Sequence, residues 1–139
     1  MRRQLQVFLG GRYRFSATVQ KFGLKYTPEG IKACMLLFDV ALHTGTAIVV
    51  SQHIWAEVSP DVAQFDPHGG DKIAFSATVK EYYKLNGLGL DRLDYNVGGL
   101  EDLDLVTRPY ADSLAFSKYW GNVKQSHLFN CKDEVRCTA

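Results

Sequence analysis

FSATVQKF, residues 15–22, returns sixty positions later as FSATVKEY, residues 75–82. In the first copy Tyr13, Phe15, Ala17 and Val19 alternate with Arg12, Arg14, Ser16, Thr18 and Gln20, the period of two that marks a strand with one buried face. The second copy behaves alike, with Ile73, Phe75, Ala77 and Val79 set against Lys72, Ala74, Ser76, Thr78 and Lys80. Small alanines in the middle of each inward row suit a strongly curved sheet, whose concave side crowds its side chains.

Working outward, ACMLLFDVAL (33–42), the turn signal HTG and TAIVVSQHIW (46–55) read as a β-hairpin. The alternation then lapses. Ser59-Pro60-Asp61 opens a short helix within 56–65, carrying Val58, Val62 and Phe65 at helical spacing. DPHGGDK is a loop into the second copy, KLNGLGLDRLD is a second loop, and DYNVGGLEDLDLV supplies a fifth strand. The alternation places Phe15, Phe38, Phe65 and Phe75 in the core. Phe22, Tyr26 and Tyr83 escape that rule. Trp55 ends an apolar run, which favours burial over a groove-facing position. His53 reads as a strand-surface residue, and His43 and His68 as turn residues.

The order β, β, β, short helix, β, β defines a mainly β protein and resembles the OB-fold, a five-stranded Greek-key barrel that binds oligonucleotides across its second and third strands and adjoining loops. The phrases SQHIWAEV and GDKIAFSATVKEYY are similar to those of small single-stranded DNA-binding OB-fold proteins carried by bacterial plasmids and phages. That resemblance spans roughly residues 10–106, so the chain divides into a barrel with a basic N-terminal segment, 1–106, and an extension, 107–139. DSLAFSKYW (112–120) suggests a helix in the extension, which either packs back on the barrel or contacts a second subunit. The acidic, hydrophobic-tipped tail of replicative relatives is replaced by CKDEVRCTA, which points to a protein that coats or guides a strand.

Single-strand binding needs a basic groove for phosphates and flat rings for bases. Residues 1–32 hold seven Lys or Arg against the single acid Glu29, a balance of +6, so the other 107 residues carry −5 of the net +1. Such asymmetry suggests a basic face that meets a polyanion. Lys21, Phe22, Lys25 and Tyr26 stand where the first strand enters its loop, and Lys80, Tyr82, Tyr83 and Lys84 where the fourth does. Arg12, Arg14 and Lys32 add cationic reach, Arg92 and Tyr95 lie where the second loop returns, and Trp55 completes the set of binding candidates. The expected partner is single-stranded DNA, with RNA as the alternative ligand and the extension as a surface for homo-oligomer formation. A different class of function, a protein-interaction module docking through the apolar segment near Trp120, competes with this reading.

Enzymatic signals are weak. No nucleophile elbow, P-loop or dinucleotide fingerprint occurs. Alternation sets Glu101 apart from Asp102 and Asp104, as on a solvated outer strand. His127, Cys131 and Cys137 lack a fourth zinc ligand, so no cofactor is expected. The odd cysteine count argues against a disulfide framework, Cys34 reads as a small buried residue, and the absence of an 18-residue apolar run or a leader points to a cytoplasmic protein without a membrane role.

Overall fold

The computed structural model describes residues 8–43, 48–85 and 91–130, and the side chains of all these except 82–85, 91–95 and 127–130. Alternating apolar residues build five strands: β1 (Arg12–Thr27), β2 (Gly30–Leu42), β3 (Val49–Glu57), β4 (Lys72–Leu85) and β5 (Asp91–Thr107). They form one antiparallel sheet in the order β3-β2-β1-β4-β5. Two helices complete the fold, α1 (Pro60–Phe65) between β3 and β4, and α2 (Phe116–Asn130) after β5.

The repeated phrase proves to be one strand pair. β1 and β4 are antiparallel neighbours centred on Phe15 opposite Phe75, whose rings lie 6.0 Å apart, with Ala17 opposite Ile73 and Tyr13 opposite Ala77. Each alanine of the repeat thus faces a larger residue across the strand pair. Phe15, Val19, Ile73, Phe75, Ala77 and Val79 are fully buried there, joined by Met35, Leu37, Val40, Val50 and Ile54 from β2 and β3.

Bulges decide which side chains join them. Gln20 is the extra residue where Val19 pairs with Leu37 and Lys21 with Leu36, so the inward row 15, 17, 19 resumes at Phe22. Asp39 and Val40 together oppose Ala17, with Asp39 left-handed at φ 54°, a conformation that Asp tolerates better than most residues. Leu37 and Val40 both face inward on either side of this bulge, and Phe38, next to Leu37, points away from the core and is 37% exposed, which corrects the expectation that it is buried. Phe65 is only partly buried at the core's edge. A third bulge falls at Asp102, φ 52°, where Asp102 and Leu103 oppose Phe75. Glu101 and Asp104 consequently share the outer face, instead of lying on opposite faces as strict alternation implies.

The ends of α1 follow from its sequence. Ser59 Oγ accepts from the Val62 backbone N–H, Pro60 starts the helix, and Asp66 ends it in the left-handed conformation. Asp66 then serves a second helix, accepting from the Ser117 N–H at 2.7 Å and from its hydroxyl at 2.9 Å in the first turn of α2. α2 begins four residues later than the sequence suggests and inserts Phe116 into the core. The segment leading to it is tied to the loop before β4. Buried Asp71 accepts both Arg108 Nε and Nη2 at 2.9 Å, Tyr110 covers Gly70 where a Cβ would stand 2.4 Å from the ring, and His68 bridges Ala115. Within the extension, Phe116, Tyr119 and Trp120 pack back on the core of the sheet. Among the described residues no helix is long and apolar enough to cross a membrane.

Candidate nucleic-acid interface

The outward sides of β1, β2 and β3 form three cross-strand rows. Thr18, Phe38 and His53 make the first, Lys21, Leu36 and Trp55 the second, and Gly23, Cys34 and Glu57 the third. Lys25 opposite Lys32 continues the series toward the β1–β2 turn. Trp55 is 40% exposed despite the apolar run that ends in it, because its position in β3 points outward while Ile54 and Ala56 fill the core. The six-membered ring of its indole rests on Gly23, where a Cβ would come within 2.9 Å of Cζ3. Glycine at 23 is what lets the indole lie against the strand. Phe38 meets His53 edge to face at 6.5 Å, so the face carries two exposed aromatic rings and an imidazole.

Charge gathers beside these rings. Lys32 Nζ lies 3.6 Å from Glu29 and 3.9 Å from Glu57, and Lys25 Nζ lies 4.0 Å from Glu57. Pairs this long and exposed contribute little, so an incoming phosphate can draw both ammonium groups to itself. Burial raises the Cys34 thiol pKa above its ordinary value, Glu57 adds to the rise and Lys25 opposes it, leaving a neutral thiol in the middle of the face.

The residues expected to bind separate into groups. Lys21, Lys25, Lys32 and Trp55 share this face. Arg12 and Arg14 lie on the outer face of β1 beside β4 and are engaged internally. Arg12 pairs with Glu101 at 2.6 Å and donates to Thr78 and the Gly99 carbonyl, while Arg14 pairs with Asp104 and donates to the Asp102 carbonyl. Phe22 is a core residue covered by Phe116 and Tyr119, at 5.4 and 5.5 Å between ring centres, and offers no free ring. Tyr26, 70% exposed, lies on the opposite side of the β1–β2 hairpin from Lys25. Lys80, on the outer face of β4, lies along Gly98. Tyr82, Tyr83, Lys84, Arg92 and Tyr95 belong to the arms of the β4–β5 hairpin, and their side chains lie outside the described residues.

Two contributors were not legible beforehand. Phe38 reaches the face because it alternates with the inward Met35 and Leu37, while the bulge at Asp39 lets Val40 face inward as well; the single acid within an apolar run was the available signal of that bulge. Asn96 of β5 donates its amide to the Trp55 backbone carbonyl at 3.3 Å, linking the far edge of the sheet to β3. No known protein family matches the chain, and none of the curated proteins does.

Proposed function

We propose that this protein binds single-stranded nucleic acid, DNA in preference to RNA, without sequence preference and across the outer face of β1, β2 and β3. The single observation that carries this reading is Trp55 of β3, 40% exposed, its indole reaching across β2 to Gly23 of β1, the strand that also carries Lys21 and Lys25. An exposed ring beside cations serves any base and any phosphate, so the chemistry discriminates strandedness instead of sequence. The strand order β3-β2-β1-β4-β5, with α1 between β3 and β4 and Asn96 bridging to Trp55, supports an OB-type Greek-key barrel that opens between β3 and β5. Such proteins present their oligonucleotide across the second and third strands, where Phe38, His53 and Trp55 lie. A role in DNA replication, transfer or processing, in the cytoplasm and as one of several copies along a strand, belongs to the same reading.

The competing reading, a module that docks protein through the Trp120 segment, loses weight because Phe116 of that segment is buried and Tyr119 and Trp120 pack against the chain's own core. The test is fluorescence anisotropy with labelled single-stranded DNA, single-stranded RNA and duplex DNA of equal length at two salt concentrations. Salt-sensitive binding that prefers single strands is expected, with Trp55→Ala weakening it by about 5- to 150-fold, the loss of one stacking contact of about 1–3 kcal/mol. Equal affinity for duplex, or no binding at low salt, overturns the proposal.

A further inference from the structure

The chain has two tryptophans, and the second, Trp120, lies beyond the outer face just described. Its ring is parallel to Phe116, 13° between planes and 6.4 Å between centres, and Lys124 Nζ stands over it at 5.8 Å. Trp120 borders a cleft of about 510 Å3 lined also by Phe116, Val58, Ser59, Gly99 and Lys32. Glu57 is a further wall. Lys32 and Glu57 thus belong at once to the cleft and to the charged end of the outer face, where Glu57 pairs weakly with Lys25. From Trp55 to Val58 is three residues of extended chain, about 10 Å.

We propose that a single strand lying on Trp55 continues past Lys32 into this cleft, where a base stacks on Trp120 and Lys124 turns to the neighbouring phosphate. The proposal rests on the reading of the outer face as a single-strand site and extends its path. An exposed cation–π contact is the weaker of the two partnerships open to the ring, and a stacked base is the stronger, so Lys124 gives way. Its ammonium loses nothing by the move, since a phosphate replaces the ring as its partner. Lys32, held only by long exposed pairs to Glu29 and Glu57, is free to make the same exchange at the lip. The cleft then needs no ligand chemistry different from that of the outer face, and its volume lies in the range of small-ligand sites, about 300–1,000 Å3.

Because each station holds one of the two tryptophans, single-tryptophan variants of the full chain read them separately. Trp120→Phe leaves Trp55 as the reporter, and Trp55→Phe leaves Trp120. Each is titrated with oligo(dT) of about 4 to 20 nucleotides, spanning the strand lengths that single OB domains occupy. Trp55 emission is expected to be quenched by short and long oligomers, and Trp120 emission only above a threshold length. Lys124→Glu, a change at an exposed position, is expected to raise Kd about 5- to 10-fold for the long oligomers and markedly less for the shortest. Trp120 emission unchanged at saturation with the longest oligomer, while Trp55 is quenched, overturns the proposal and leaves the outer-face site standing. Absence of any binding by the wild-type chain overturns both, a result told apart by the silence of Trp55 as well.

Discussion

Gly23 and Trp55 make a pair in which a missing side chain is as informative as a large one. A Cβ at 23 would meet only the far end of the Trp55 ring, so the indole can swing aside and the strand itself is undisturbed. Gly23→Ala is therefore expected to keep the fold, shift tryptophan emission, and weaken single-strand binding to a value between wild type and Trp55→Ala, as measured by anisotropy. Wild-type affinity in Gly23→Ala would remove the seating of the indole from the mechanism. Directly across from Gly23, Cys34 has a different signature. Its thiol pKa is raised by burial and by Glu57, so its folded value exceeds its unfolded value, and so does that of the Tyr119 phenol, raised chiefly by burial. Groups shifted this way lend stability that is complete below the unfolded pKa and is lost as pH rises through the folded one. Urea midpoints are expected to fall as pH climbs beyond the ordinary thiol value of about 8.5, and Cys34→Ala should lessen that fall. Alkylation of Cys34, followed with Cys131 and Cys137 replaced by Ser, should reach half its limiting rate at a pH above that of a free cysteine peptide.

At the scale of elements, bulges and caps govern what the strands and helices present. The bulge at Gln20 carries Phe22 inward, the one at Asp39 carries Val40 inward and leaves Phe38 on the outer face, and the one at Asp102 gathers Glu101 and Asp104 on one face for Arg12 and Arg14. Strand existence was legible in the repeat and in the alternating rows, and α1 in Ser59-Pro60-Asp61. The side on which a residue falls after a bulge was not, because one inserted residue inverts every later position. The cap of α2 was also illegible, since its acceptor, Asp66, lies 51 residues before Ser117. Asp66→Ala removes both that acceptor and a residue suited to the left-handed turn, and is expected to cost about 1–2 kcal/mol by urea denaturation. Asp66→Asn, which keeps an acceptor and tolerates the turn, should recover most of the loss.

Across the whole molecule, the basic residues of β1 and β2 divide into two groups. Arg12 and Arg14 are matched against Glu101 and Asp104, whereas Lys21, Lys25 and Lys32 stand near Trp55. This division predicts two kinds of response to charge removal. Lys21→Ala and Lys25→Ala should each reduce the slope of log affinity against log salt by about 1, the signature of one lost phosphate contact. Arg12→Gln and Arg14→Gln should leave that slope unchanged and lower the unfolding midpoint slightly, because exposed ion pairs contribute roughly 0.2–1 kcal/mol. Equal slope changes in both sets would mean that the strand runs over β1 and β4 as well.

By itself, the sequence determined that this protein is built mainly from β-strands, that the FSAT phrases are strands of one kind, and that a short helix separates the third strand from the fourth. Those features depend on interactions between near neighbours, which period and turn chemistry express directly. Tertiary structure alone decided that the two phrases pair with each other, that Phe22 is covered by α2, that Phe38 is exposed, and which basic residues remain available. Each of those outcomes depends on a register between distant segments, shifted by single-residue bulges, and on carboxylates some ninety positions from the arginines they hold.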